Sequence, residues 1–247
     1  ELGKKGYYSA FFHGAENGSM GFQAFARATG FEDYLGRTEY NEDNRFQGDA
    51  DFDGTWAIWD EPFLQFYALK MSEFREPFVS AVFTASSHHP YAIPESYKEI
   101  YPEEELVIHK CVRYTDHALE LFFETASQQP WFKNTLFVIT ADHTNLSCKP
   151  EYQTALGGFS VPIAFYDPSG EMPVGKKEGI AQQIDILPTV LGYLGYEKPF
   201  VAFGCDLMNT PVEDTWVINY QNGIYQYVKG DYLIQFDGKE VKGVYRF

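Results

Sequence analysis

The sequence predicts an α/β fold, a mixed sheet flanked by helices, with a small C-terminal antiparallel meander. Two observations carry the first part of that reading. Apolar, β-rich runs alternate with segments of helical period through most of the chain, the pattern of strand and helix units built on a parallel or mixed sheet. Three of those runs end on polar residues that include histidine, at the strand ends where open α/β sheets bind ligands. The third observation is a change of texture at Asp214, beyond which short alternating strands are separated by turn dipeptides. The body is accordingly placed at 1–212, and the β extension packed on it at 213–247.

The elements follow in order. Tyr7 to His13 (YYSAFFH) is a buried strand closed by Gly14. Ser19 to Gly30 is a short helix with a serine cap and a closing glycine. Residues 31–55, dense in Asp, Asn, Glu and Gly, are a long surface loop. From Asp60 to Phe74 apolar residues recur at helical spacing. Pro77 to Ala85 is a second strand. It runs into Ser86-Ser-His-His-Pro90, and Pro90, Pro94 and Pro102 keep the next stretch irregular. Val107 to Ala126 has the clearest helical pattern. Asn134 to Thr140 is a third strand, entering Ala141-Asp-His-Thr144 directly. Phe159 to Tyr166 is a fourth, and Pro162 marks it as an edge or an irregularity. Gln182 to Leu194 is a helix that holds Pro188 in its first turns and is closed by Gly195. The meander consists of WVINY, IYQYV, YLIQF and KGVYRF.

Composition narrows the function. The 247 residues are 45% hydrophobic and 22% charged, enough apolar material for a large core. Lys and Arg number 19 against 35 Asp and Glu, a formal charge of -16. Such a surface repels nucleic-acid phosphates and anionic lipid, so neither is expected as a partner. An anionic substrate would need a local reversal of the field, and a bound metal ion is the usual means. Cys111, Cys148 and Cys205 are an odd number without a CxxC pair, which argues for free thiols. No apolar run reaches the roughly 18 to 20 residues of a membrane span. The opening Glu-Leu-Gly-Lys-Lys-Gly passes straight into a strand, as expected of a piece of a longer protein.

The chemistry-bearing candidates are His13, His88 with His89, and the pair Asp142-His143. They contain four of the six histidines, and parallel strands would carry them to one rim. Of the adjacent histidines, His88 is taken as the central one, because successive residues face apart. Asp142 and His143 are ligands suited to Zn²⁺ or Mn²⁺, though a closed site needs about four. His109 and His117 read as ordinary helix residues. Trp56 and Trp59 are the best candidates for exposed aromatic platforms. GxSxG, Walker, GxGxxG and HExxH motifs are absent. Ser86, Ser87 and Thr140 stand at strand ends without an activating neighbour.

The order of motifs resembles a known family. Tyr7-Tyr-Ser-Ala-Phe-Phe-His-Gly14, Ser19-Met-Gly-Phe22, Ser86-Ser-His-His-Pro-Tyr91, Thr135-Leu-Phe-Val-Ile-Thr-Ala-Asp-His143, Val161-Pro-Ile-Ala-Phe-Tyr-Asp-Pro168 and Gln183-Ile-Asp-Ile-Leu-Pro-Thr189 follow one another. Together they resemble the sulfatase domain of the lipoteichoic acid synthase and phosphoglycerol transferase group, within the alkaline phosphatase superfamily. The resemblance spans roughly residues 5 to 210 and implies the C-terminal part of such a domain.

The resemblance implies a metal-dependent phosphotransferase or hydrolase acting on a phosphoglycerol or sulfate ester, linked to lipid or glycan. It implies one divalent ion, Mn²⁺ first, with Zn²⁺, Mg²⁺ or Ca²⁺ as alternatives, held by Asp142 and His143. It gives His13 and His88 contact with the phosphoglycerol head group. The family's nucleophile and its other acidic ligand match no residue here and are expected upstream of Glu1. The catalytic residue is therefore unassigned, and this chain alone is expected to be inactive with an incomplete metal site. The parent is expected to be anchored in the cell membrane and to work outside the cytoplasm. Where the synthases have an acidic residue, a tryptophan and an arginine after the histidine matching His13, this sequence has Ala15, Met20 and Phe22. The head-group pocket therefore differs. A glycan sulfatase and a catalytically inactive binding module are the rival readings.

Overall fold

Side-chain alternation along β1 (Tyr8–His13) sends Phe11 and Phe12 to opposite faces of a sheet. Phe11 packs on Phe22, Phe31 and Tyr34. Phe12, fully buried, meets Phe66 and Tyr67. A strand covered on both faces is apolar at both parities, which is why YSAFF shows no polar alternation. The computed structural model describes residues 2–246. They divide into two units at Lys133/Asn134; the change of texture at 212/213 lies within the second.

In the first unit β1 lies between β2 (Asp33–Leu35) and β3 (Phe78–Phe83), both parallel to it. Four helices accompany this sheet: α1 (Phe22–Thr29), α2 (Arg37–Glu42), α3 (Asp60–Met71) and α4 (His109–Ser127). Helix α4 buries Cys111, Tyr114, Ala118, Phe122 and Ala126, a stripe at three- and four-residue spacing. It packs on α3, where Phe122 stacks on Tyr67 with ring centroids 5.6 Å apart.

Two expectations are corrected here. Residues 31–55 are not one loop, because they contain β2, α2 and a 3₁₀ turn at Gly48–Asp51. Strand β2 is three residues whose extended form is fixed by pairing Ala10 to Asp33 through Phe12 to Leu35, so it leaves no local periodicity. The Ser19–Gly30 helix starts late: Ser19–Gly21 form a 3₁₀ turn, and α1 begins at Phe22. Ser19 caps nothing; its hydroxyl accepts from the Trp56 indole at 3.2 Å. Gly30 does close the helix, at φ 95°.

In the second unit β4 (Phe137–Thr140) pairs with β5 (Ile163–Tyr166) antiparallel. Both strands are shorter than the sequence suggests. Phe132–Asn134 and Gly157–Phe159 turn as 3₁₀ helices, and β5 begins immediately after Pro162. Helix α5 (Ile186–Tyr193) follows a 3₁₀ turn at Gln183–Asp185. Pro188 sits in its first turn, where a missing N–H costs no helical bond. The Asp185 side chain is fully buried, accepting from the amides of Gln182 and Cys205 at 2.8 Å each. Thr189 donates to the Asp185 carbonyl at 2.6 Å and accepts from the Leu207 amide at 2.9 Å. The meander is as expected: β6 (Trp216–Gln221), β7 (Ile224–Lys229), β8 (Tyr232–Phe236) and β9 (Val241–Arg246) in sequential order. Its first turn has Asn222 and Gly223 at φ 51° and 85°, the paired positive values of a tight hairpin.

Candidate functional site

Parallel register puts the ends of β1 and β3 on the same rung, with His13 opposite Phe83. The imidazole of His13 is fully buried among the rings of Phe22, Trp56 and Phe83, at centroid distances of 4.5, 5.0 and 5.2 Å. Its Nδ1 lies 3.0 Å from the Phe83 carbonyl oxygen. A carbonyl only accepts, so Nδ1 carries the hydrogen. Burial lowers the pKa of His13 below 6.5, with the Phe83 bond pulling the other way. The ring is therefore a neutral imidazole whose bare Nε2 accepts, and that buried nitrogen has no hydrogen-bond partner.

His88 comes to the same place through Trp56. The Trp56 ring lies 4.6 Å from His88 as well as 5.0 Å from His13. A tight turn sets the indole: the Asp53 carboxylate accepts from the amides of Thr55 and Trp56 at 2.7 and 2.6 Å, with Gly54 at φ 80°. Trp56 also packs on buried Ala15, Ala57 and Ala85. The expectation of an exposed platform is thus corrected, since the ring is half-buried between the histidines. Trp59 likewise packs beside Tyr114 and Ile93. His88 is exposed, and its Nδ1 is 2.9 Å from the His89 carbonyl. His89 turns toward Tyr91 instead.

The segment bearing His88 is held by a residue that sequence reading passed over. Asp60, at the first position of α3, is 2% exposed. Its carboxylate accepts from the amides of Ala85 and Ser86 at 2.7 and 3.1 Å and from the Thr115 hydroxyl at 2.9 Å. Burial pushes its pKa up while those donors pull it down. Asp60 was visible as the start of a helix, but a partner 26 residues away has no local signature.

Asp142 and His143 leave the end of β4 in the second unit, both exposed. The Asp142 carboxylate accepts from the His143 amide at 2.8 Å. His143 Nδ1 is 2.6 Å from the Thr144 carbonyl, so it carries the hydrogen. Nε2 lies 3.3 Å from Asp142 Oδ2. A carboxylate oxygen and an imidazole nitrogen at that separation can share a proton or a cation. The carboxylate and the carbonyl-anchored imidazole thus form a donor pair suited to a divalent ion, with the anchoring bond that ligating histidines usually make. Among the described residues, no group of three or more His, Cys, Asp and Glu is placed to hold a metal. The backbone of this turn is gripped by Gln183, whose amide nitrogen donates to the carbonyls of Ala141 and Asp142 at 2.6 and 2.9 Å.

His109 and His117 behave as ordinary helix residues, facing Glu104 and Glu120 at 3.3 and 3.1 Å. Cys111, Cys148 and Cys205 are free thiols.

A family model described as Sulfatase matches residues 2–196. Lipoteichoic acid synthase 1 of Bacillus subtilis is 24% identical over 245 residues, which cover 89% of this chain and 36% of that protein. The lipoteichoic acid synthase of Staphylococcus aureus is 24% identical over 249 residues, covering 92% and 37%. The chain thus spans little more than a third of the length of these relatives. Among solved structures, a protein in the alkaline phosphatase superfamily from Vibrio parahaemolyticus superposes with a TM-score of 0.80 at 25% identity, covering 100% of this chain and 61% of that one. The lipoteichoic acid synthase LtaP from Listeria monocytogenes gives 0.78 at 23%, covering 96% and 62%. The fold is alkaline phosphatase-like.

Proposed function

The chain belongs to the sulfatase family, and we propose that it is part of a metal-dependent phosphotransferase or hydrolase of the lipoteichoic acid synthase kind. Its substrate is a phosphoglycerol or related anionic ester on a lipid or glycan, met outside the cytoplasm by a membrane-anchored parent. The observation that carries this reading is the Asp142–His143 pair, with Nδ1 committed to a carbonyl and Nε2 turned to the carboxylate at 3.3 Å. These two residues would hold the divalent ion, Mn²⁺ by preference. When bound, that ion offsets substrate charge and polarises the transferred phosphoryl or sulfuryl group.

The other roles fall to His13 and His88 and to the architecture that holds them. His13 Nε2 is an acceptor and is fully buried, so it would meet a hydroxyl of a glycerol or sugar only where the Trp56 ring gave way. It stands behind Trp56, and the exposed His88 contacts the same head group from outside. Two of the strand-end hydroxyls are committed to backbone groups. Ser86 is 4% exposed and its oxygen accepts from the Asp60 amide, while Thr140 donates to the Ala141 carbonyl. The resemblance to the synthases implies a nucleophile and further metal ligands outside the matched segments, and on that proposal this chain alone would not turn over substrate.

The test uses the intact parent and, beside it, this chain. Asp142→Ala or His143→Ala should abolish Mn²⁺-dependent turnover of a phosphoglycerol donor by the parent. His88→Ala should raise KM more than it lowers kcat. Turnover of sulfate esters in place of phosphodiesters would move the assignment to a glycan sulfatase. Calorimetric titration of Mn²⁺ into the chain alone should show only weak binding. A stoichiometric, sub-micromolar site lost in Asp142→Ala would show that other residues of the chain complete the coordination, and would overturn the incomplete-site reading.

A further inference from the structure

Gln182 and Gln183 are consecutive, yet their side chains are committed to different parts of the second unit. The Gln183 amide group spends both hydrogens on carbonyl oxygens, those of Ala141 and Asp142 at 2.6 and 2.9 Å. The opposite amide orientation would set an oxygen against two oxygens, so the assignment is fixed by its partners. Gln182 turns to the meander. Its Nε2 donates to the Trp216 carbonyl at 3.0 Å, and its Oε1 accepts from the Ile218 amide at 3.4 Å. Those groups are spaced along β6 as the partners of a neighbouring strand would be.

The backbone beneath both glutamines is anchored. The Gln182 amide donates to the buried Asp185 carboxylate, which also holds the Cys205 amide. Gln183 is exposed and packs into no core, so its two bonds to the Asp142 turn are what its side chain contributes. Preorganisation of the backbone sets how well two exposed donors on one turn take a ligand.

We propose that Gln183 is a positioning residue for the Asp142–His143 turn, acting through its own two bonds to that turn and independently of the Gln182 bonds to the meander. Its consequence for metal binding rests on the reading of that pair as ligands. Its consequence for order in the turn does not.

The experiment uses the full chain, labelled for NMR, as wild type and as Gln183→Ala, Gln183→Glu and Gln182→Ala. It reads amide hydrogen exchange at His143 and Ile218, and broadening of the His143 signals by added Mn²⁺. Gln183→Ala should speed exchange at His143 about tenfold, the effect of two lost hydrogen bonds, and raise the Mn²⁺ needed for half-broadening by a similar factor. Gln183→Glu, which sets a carboxylate against two carbonyls, should be worse on the exchange readout. Gln182→Ala should speed exchange at Ile218 and leave His143 within about twofold of wild type. The proposal is overturned if both Gln183 variants match wild type at His143, or if Gln182→Ala disturbs His143 equally, which would mark general loosening. If Mn²⁺ broadens His143 in no variant, the ligand reading fails, while the exchange data still decide the positioning role.

Discussion

Asp60 and Ser86 exchange hydrogen bonds: the Asp60 amide donates to the Ser86 hydroxyl at 2.9 Å, and the Asp60 carboxylate accepts from the Ser86 amide at 3.1 Å. The pair welds the first turn of α3 to the segment leaving β3, two residues before His88. Asp60→Ala strands two buried amides and the half-buried Thr115 hydroxyl and should cost about 2 to 4 kcal/mol in denaturant unfolding. Ser86→Ala should cost about 1 kcal/mol. A loss below about 0.5 kcal/mol for Asp60→Ala would show that water replaces the carboxylate and that the weld is dispensable.

Stability should fall on mild acidification through His13. Burial holds its pKa below the ordinary 6.5, so between the two values the unfolded chain binds more protons than the folded one. The contribution is fully present above pH 6.5 and is lost as pH falls below that value toward the folded pKa. Unfolding free energy measured from about pH 7.5 to 5 should drop more steeply in wild type than in His13→Gln. Equal slopes would place the acid sensitivity elsewhere.

Trp56 is the ring that keeps His13 dry on the side of His88. Trp56→Ala should raise the His13 pKa toward 6.5, read by imidazole NMR titration, because the burial that lowers it is relieved. The same change should cost about 1 to 3 kcal/mol, less than for a fully buried tryptophan. An unmoved titration would mean that Phe22 and Phe83 suffice to exclude water.

Gly204 lies where backbone meets backbone. A Cβ there would stand 2.3 Å from the Ile184 carbonyl oxygen and 2.7 Å from the Asp185 amide nitrogen, beside the Asp185–Cys205 bond. Gly204→Ala should therefore cost about 1 to 3 kcal/mol and speed exchange at the Cys205 amide. Unchanged exchange there would show that the 204–205 segment shifts without loosening Asp185.

The sequence exposed what periodicity and turn chemistry can expose. YSAFFH and the Asn222-Gly223 hairpin were legible because each pattern is local, and strand ends singled out His13, His88, Asp142 and His143 before the family resemblance gave them roles. The missed elements owe their form to distant partners. Asp33–Leu35 is a strand because β1 lies beside it, and α2 is fastened by Glu39, which accepts from the Gly36 amide at 2.7 Å and from Asn17 at 2.9 Å. The place of Trp56 between two histidines, the brace of Asp60 and the grip of Gln183 depend on side chains meeting across 26 to 43 positions, where no spacing rule reaches.

The shared rung of His13 and Phe83 sets what kinds of length change this protein tolerates. A residue added inside β1 would slide His13 past its partner and swing it to the α3 face, because strand parity reverses with each step. A residue added after Gly14 or after Phe83 alters neither parity nor pairing. Variation in the chemistry of the rim is thus open to insertion in the loops and closed to insertion in the strands. A library that lengthens the segment between Gly14 and Ser19 should yield folded variants with changed ligand preference, whereas one that lengthens Tyr8–His13 should yield few that fold.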